Sequence, residues 1–179
     1  MDDRALVDAV LGGDLDAFRL IVERTQGPVY RSCLRILGSV AEAEDAAQES
    51  FVTAFRSLGG FRGDGTLQAW LVRIATRNAL RRRAQRRPAG DLSVALDRPS
   101  GRVEDPLHLT LAGERRAEVR SAVAALDEPY REVVALRYFG ELSLEEVANA
   151  TGRPVNTIKT QLRRGLQRLA AQISPEVAS

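Results

Sequence analysis

The stretch from Leu142 to Leu169, LSLEEVANATGRPVNTIKTQLRRGLQRL, constrains the fold more than any other part of the chain. Ser143 and Glu146 make the pattern S-x-x-E, in which hydroxyl and carboxylate each satisfy a backbone N–H at a helix start. The helix so begun runs to about Thr151. Gly152 then supplies the positive φ of a tight turn, and Pro154 suits the first turn of a second helix. Ala148, Gly152 and Ile158 carry the spacing of a helix-turn-helix. The small residue lets the helices cross closely, the glycine turns the chain, and the branched residue fills the angle.

The second of these helices is two-faced. Val155, Ile158, Leu162, Leu166 and Leu169 form its inward stripe. Asn156, Thr157, Lys159, Thr160, Arg163, Arg164 and Gln167 form its outward face, which holds no acid. Amides, hydroxyls and guanidinium groups bond phosphates and base edges, and a helix of this kind fits the DNA major groove. A plain helical hairpin with a solvated basic face is the alternative. The residue spacing and the acid-free face favour DNA.

The remaining long segments also have helical period. Aromatic residues are 5% of the chain, so the cores must be built from Leu, Val, Ile and Ala. DAFRLIVERTQGPVYRSCLRILG places Phe18, Ile21, Val22, Val29, Tyr30, Cys33, Leu34 and Leu37 on buried stripes. Two helices are expected there, parted at Pro28, because proline suits a first turn and not a helix interior. Ser39 caps a further helix, striped by Val40, Ala43, Ala47, Phe51, Ala54, Phe55 and Leu58, and Gly59-Gly60 ends it. FRGDGT is a turn-rich loop, and the next helix starts near Gln68. It contains WLVRIATRNALRRRAQRR, with seven arginines and no acidic residue. Trp70, Leu71, Ile74 and Ala75 break that charge in a helical rhythm.

From Pro88 to Gly113 stand three prolines, three glycines and four acidic residues, which read as a linker. It is longer than the ordinary loops of a compact domain, and this argues for two domains. Helical signals resume at Glu114 with Val119, Ala122, Val123 and Leu126. LDEPYREVVALRYFG then starts another helix at Asp127 or Glu128, with Pro129 in its first turn and Gly140 past its end. The expected fold is all-α. A helical domain at 1–88 is joined by a flexible acidic linker at 89–113 to a helix-turn-helix domain at 114–173, with a tail at 174–179.

Several function classes are disfavoured. One cysteine, Cys33, and one histidine, His108, allow no intramolecular disulfide and no zinc site of about four ligands. Cys33 sits on an apolar helical face and reads as a core residue. No Gly-rich phosphate loop, H-E-x-x-H or nucleophile elbow is present. Neither a catalytic site, a cofactor nor a small-molecule substrate is expected. No apolar run reaches the ~18 residues of a membrane span, and the acidic start MDDRALVDAV lacks a signal-peptide pattern. The chain is therefore expected in the cytoplasm, without membrane insertion.

The segment AEAEDAAQESFVTAFRSLGGFRGDGTLQAWLVRIATRNALRRR resembles the second region of a bacterial RNA polymerase sigma factor. The likeness is to the sigma-70 family's extracytoplasmic-function, or group IV, class. LDEPYREVVALRYFGELSLEEVA and the helix-turn-helix resemble that family's fourth region. The two blocks come in the family's order and cover about Asp14 to Ala171. The resemblance implies a promoter-specificity subunit that makes no bond itself. It would bind core polymerase through the β′ coiled coil and the β subunit, read the −35 element with the second module, and open the −10 element with the first.

The same resemblance implies residue roles. Glu44, Asp45, Gln48 and Glu49 fall where the family binds the β′ coiled coil, and an acidic face suits a basic partner helix. Phe61, Arg62 and Asp64 of the loop, with Trp70, Arg73, Arg77, Asn78 and Arg81 of the following helix, fall at the −10 element. There a base is extruded at a cost of ~a few kcal/mol that the protein must offset. Trp70 has two readings, core or base-stacking. Arg81 to Arg87 would hold backbone upstream. Asn156, Thr157, Lys159, Thr160, Arg163 and Arg164 would meet the −35 duplex.

Three departures stand out. Many relatives have asparagine where this chain has Arg77, with Asn78 one step on, about 100° round the helix; either could face the base. Relatives also have glycine at Asn156 and arginine at Gln161. The linker acids Asp91, Asp97, Glu104 and Asp105 resemble the family's connector toward the RNA path, and an anti-sigma protein is an implied partner. Two rivals remain: a free-standing helix-turn-helix regulator, which binds duplex tightly without polymerase, and a nucleic-acid enzyme, which turns over alone.

Overall fold

The computed structural model describes residues 2–85 and 106–173, except for the side chains of 106–112. Its α-helices are α1 (Asp3–Leu11), α2 (Leu15–Leu37), α3 (Val40–Ser57), α4 (Leu67–Gln85), α5 (Pro106–Ala125), α6 (Tyr130–Tyr138), α7 (Leu144–Thr151) and α8 (Val155–Ile173). A 3₁₀ turn at Leu58–Gly60 follows α3, and no strand occurs among the described residues. None of the described helices is long and apolar enough to cross a membrane.

The first module is a three-helix core, α2, α3 and α4, with α1 laid across α2. Ala43, Ala46 and Ala54 of α3 and Ala75 and Ala79 of α4 are buried, and Ile21, Val29 and Ile36 of α2 pack among them. Small residues at the crossings let the helix axes approach. Cys33 is fully buried, its Sγ 3.9 Å from the Ala75 carbonyl, and burial pushes its thiol up to about 12.

Two expectations change here. Helix α2 runs unbroken through Pro28, where two helices were expected. A mid-helix proline costs ~3 kcal/mol, but Ile21 and Thr25 before it and Val29, Ser32, Cys33 and Ile36 after it are all buried. Burial of side chains on both sides of Pro28 holds the helix together. In addition, α5 begins at Pro106, inside the stretch assigned to the linker. A proline at the first helical position keeps its missing N–H where none is needed. The alternating Leu107, Leu109 and Leu111 and the later Gly113 hide that start in the sequence.

Helix α1 supplies part of the core through Leu6, Val7 and Val10, all buried. It also serves α4 directly. The Asp3 carboxylate accepts the Leu67 N–H at 2.7 Å, and Arg4 donates to the Arg62 carbonyl at 3.3 Å. Thr66 Oγ1 accepts the Ala69 N–H. The loop before α4 and its first turn are thus pinned from α1.

In the second module the Ser143–Glu146 capping box forms in both directions, and Gly152 ends α7 at φ 68°. Ala148 and Ile158 are buried where α7 and α8 meet. Gly165 lies where α8 crosses α6; a Cβ there would sit 2.8 Å from Val134 Cγ2. The segments 86–105 and 174–179, with Arg86, Arg87, the linker acids Asp91, Asp97, Glu104 and Asp105, and the tail, lie outside the described residues.

Candidate nucleic-acid and polymerase interfaces

On α8 the outward face is open along its length. Asn156, Thr157, Lys159, Thr160, Arg163, Arg164 and Gln167 are all exposed. The Thr160 hydroxyl donates to the Asn156 carbonyl, so part of its capacity is taken by the helix. Val155, Leu162 and Leu169 pack on the core cluster behind it.

The loop at 61–66 and α4 form the second candidate surface. Phe61 and Trp70 meet edge to face, with ring centroids 5.8 Å apart. Both are half-buried, so Trp70 is neither a core residue nor a free platform. Arg62 and Asp64 are exposed. A cleft of about 290 Å³ opens between this loop, Trp70, Arg73 and the Asn149–Gly152 end of α7.

Along α4, Arg77 and Arg81 point outward and Asn78 does not. Asn78 is 7% exposed, and its amide donates to Ser50 Oγ at 3.2 Å. Ser50 Oγ in turn donates to the Ala46 carbonyl, and Ser32 bonds Thr76 at 2.9 Å. These form a buried polar line tying α2, α3 and α4. The one-residue step that left two readings in the sequence turns Asn78 into this line and Arg77 out of it. Asn78 stands at the inner wall of a cleft lined by Arg77 and Arg81 with its amide taken up by Ser50, so its place at the base is corrected to a packing role.

On α3, Glu44, Asp45 and Gln48 are exposed along one side, and Val52 and Phe55 continue the same side at helical spacing. Phe55 packs edge to face on Phe18, centroids 4.9 Å apart. Glu49 departs from this row. Its two carboxylate oxygens accept from Arg81 at 2.8 Å and from Arg82 at 2.8 and 2.9 Å. It lies between the acidic face of α3 and the arginine row of α4.

Arg73 is not free. Its Nε lies 3.0 Å from Glu132 Oε1 of α6, and Arg153, in the turn between α7 and α8, bonds Glu132 Oε2. Glu132 is 6% exposed. Burial alone would raise its carboxyl, but Arg73 and Arg153 together hold it below the usual carboxylate range. Sequence reading missed Glu132, Arg153, Asp3 and Arg4. The first two carry no local signal: the Arg73–Glu132 pair exists only once the modules meet, and Arg153 reaches Glu132 from 21 residues away. Asp3 and Arg4 act on backbone about sixty residues away.

Comparison with known proteins gives a consistent answer. Residues 21–88 match the family model for Sigma-70 region 2, and residues 116–169 match that for Sigma-70, region 4. The RNA polymerase sigma-H factor of Pseudomonas aeruginosa is 33% identical, over 97% of this chain and 94% of its own. The ECF RNA polymerase sigma factor SigW of Bacillus subtilis is 33% identical, over 93% and 94%. The ECF RNA polymerase sigma-E factor of Escherichia coli K12 is 33% identical, over 98% and 96%. Among solved structures, CnrH in complex with the cytosolic domain of CnrY superposes with a TM-score of 0.63 at 24% identity, covering 97% of this chain and 98% of that one. RpoE of Bartonella quintana, in complex with the anti-sigma factor NepR, gives 0.51 at 19% identity, covering 89% and 98%. Both structures share the fold.

Proposed function

The chain belongs to the sigma-70 family of RNA polymerase sigma factors, in its extracytoplasmic-function class, and from that premise we propose how its residues divide the work. As a sigma factor it directs core polymerase to promoters, and it is not itself an enzyme. The observation that carries the residue-level reading is the acid-free, exposed face of α8. Asn156, Thr157, Lys159 and Thr160, nearest the helix N-terminus, read −35 base edges. Arg163 and Arg164 hold phosphates.

The loop residues Phe61, Arg62 and Asp64, with Trp70, Arg73, Arg77 and Arg81 of α4, receive the opened −10 strand. Arg77 stands where relatives carry asparagine, and it faces outward; it is the residue assigned to the base. The Trp70–Phe61 pair forms one wall of the cleft into which an extruded base would pass. Glu44, Asp45 and Gln48 dock the β′ coiled coil, with Val52 and Phe55 as the apolar end of that face. Glu49 orients Arg81 and Arg82. The protein acts in the cytoplasm with polymerase, and an anti-sigma protein holds it in reserve; solved relatives of the same fold are bound to such partners.

In vitro transcription with purified core polymerase on a promoter library tests the whole reading. Promoter-directed transcripts should require both proteins and return the −35 and −10 sequences together. Tight duplex binding without polymerase, and no gain of transcription, would favour the free-standing regulator instead.

Two substitutions test the DNA faces. Replacing Arg163 and Arg164 with alanine should weaken −35 binding and reduce the salt slope by about one per lost phosphate contact. A slope equal to wild type would remove both arginines from the backbone. Arg77→Ala should change the preferred −10 sequence and leave stability within about 0.5 kcal/mol, as exposed sites do. Asn78→Ala should do the reverse, costing ~1–3 kcal/mol by stripping a buried hydrogen bond, with the preference kept. Denaturant melts and the promoter library read the two effects separately.

A further inference from the structure

The acidic start of α6 lies against the arginine row of α4. A second cleft, of about 580 Å³, has Ile74, Arg77 and Arg81 of α4 on one side and Glu128, Arg131 and Glu132 on the other. At its inner end Glu132 bonds Arg73 at 3.0 Å, with only 8% and 25% of the two side chains exposed. The approach is close elsewhere too. A Cβ at Gly140 would sit 2.9 Å from Val72 Cγ1, and one at Gly65 would sit 2.9 Å from Asn149 Cβ. Arg35 of α2 bonds Glu141 at 2.6 Å and the Phe139 carbonyl at 3.3 Å.

We infer that Glu132 is an internal competitor for DNA: in the free chain its carboxylate takes the place of a phosphate on Arg73 and latches the second module over the −10 face. The chemistry matches. A phosphate oxygen and a carboxylate oxygen offer a guanidinium the same charge-assisted acceptor. The placement agrees as well. Arg73 lines the cleft beside Trp70, and a phosphate entering there must displace the Glu132 carboxylate to take the Arg73 Nε.

Arg153 makes the latch one-sided. It belongs to the same module as Glu132 and remains bonded to it through Gln161 and Glu132 contacts when the modules separate. Opening thus leaves Arg73 unpaired and available, while Glu132 keeps a cationic partner. The closed state lowers apparent DNA affinity by the fraction of chains that are open.

The test uses the full chain, with labels at Arg56→Cys and Ala170→Cys, both exposed positions in different modules; Cys33 is buried and stays unlabelled. Inter-label distances are measured in Glu132→Gln, in Arg73→Gln and in the double variant, each checked for helical content and melting. Glu132→Gln leaves two unneutralised cations facing each other, so its distances should lengthen and broaden. The double variant should open no further than the single ones. Free Glu132→Gln should bind a mixed-sequence single-stranded 30-mer tighter by about 5- to 150-fold, the usual range of coupling between sites. With saturating core polymerase its transcription should equal wild type. Wild-type distances in Glu132→Gln, or additive opening in the double variant, would overturn the latch. The DNA arm rests on the promoter reading, but the distance arm needs neither DNA nor polymerase, so the two failures are distinguishable.

Discussion

Glu44→Lys combined with Asp45→Lys is expected to cut affinity for core polymerase by ~30- to 1,000-fold and leave the fold intact. The stability half follows from exposure. Both side chains stand in solvent on α3, opposite the buried Ala43, Ala46 and Ala47, and such changes shift stability by about 0.5 kcal/mol or less. The binding half follows from sign. The basic coiled-coil partner proposed for this face would meet two carboxylates in the native protein and two ammonium groups in the variant, and like charges across an interface cost ~several kcal/mol. Glu49 is the wrong place for this test. Its carboxylate holds Arg81 and Arg82, so reversing it would also disturb the proposed −10 face. Equilibrium competition for labelled core, with a thermal melt on the same sample, reads both halves. Unchanged core affinity would move the docking site off this side of α3.

Charge reversal on α3 also bears on how far the sequence could be read. Its acidic row was legible because helical period is local, and the exposed side follows once the alanine stripe is found. The helix-turn-helix was legible for the same reason: capping box, positive-φ glycine and branched filler all act within sixteen residues of one another. Pro28 misled because proline's cost is local while the burial that overrides it comes from α3 and α4. Helix α1 went unread because its role depends on partners far along the chain, among them the N–H at Leu67.

The same contrast explains the two residues whose roles changed most. Arg77 and Asn78 differ by one step, and periodicity places neither to better than about one position. What decides between them is Ser50 on another helix. Nothing local in the sequence singles out Glu132. Its burial follows from two arginines, one of them 59 residues before it. Local rules carried the elements and the exposed, acid-free face of α8; contacts between distant segments settled which side chains remain available.

Ile158→Ala should cost ~2–5 kcal/mol of stability. Ile158 is fully buried in the angle between α7 and α8, beside Ala148. Ala148 is already small, so nothing in that corner can grow into the space, and the cavity term stays near its full value. Small domains hold only ~5–15 kcal/mol in total, and a four-helix module sits toward the lower end. The substitution therefore puts −35 recognition at risk through the fold, with all six proposed DNA contacts still present in the sequence. The proposed docking row, Glu44, Asp45 and Gln48, lies on α3 of the other module, so docking to polymerase should persist while −35-dependent transcription falls. Loosening the second module should also release Arg73 from Glu132. Ile158→Ala should then show raised affinity for single-stranded DNA together with lost promoter activity, a pair that Arg163→Ala cannot produce. Wild-type denaturation midpoints in Ile158→Ala would contradict the packing argument.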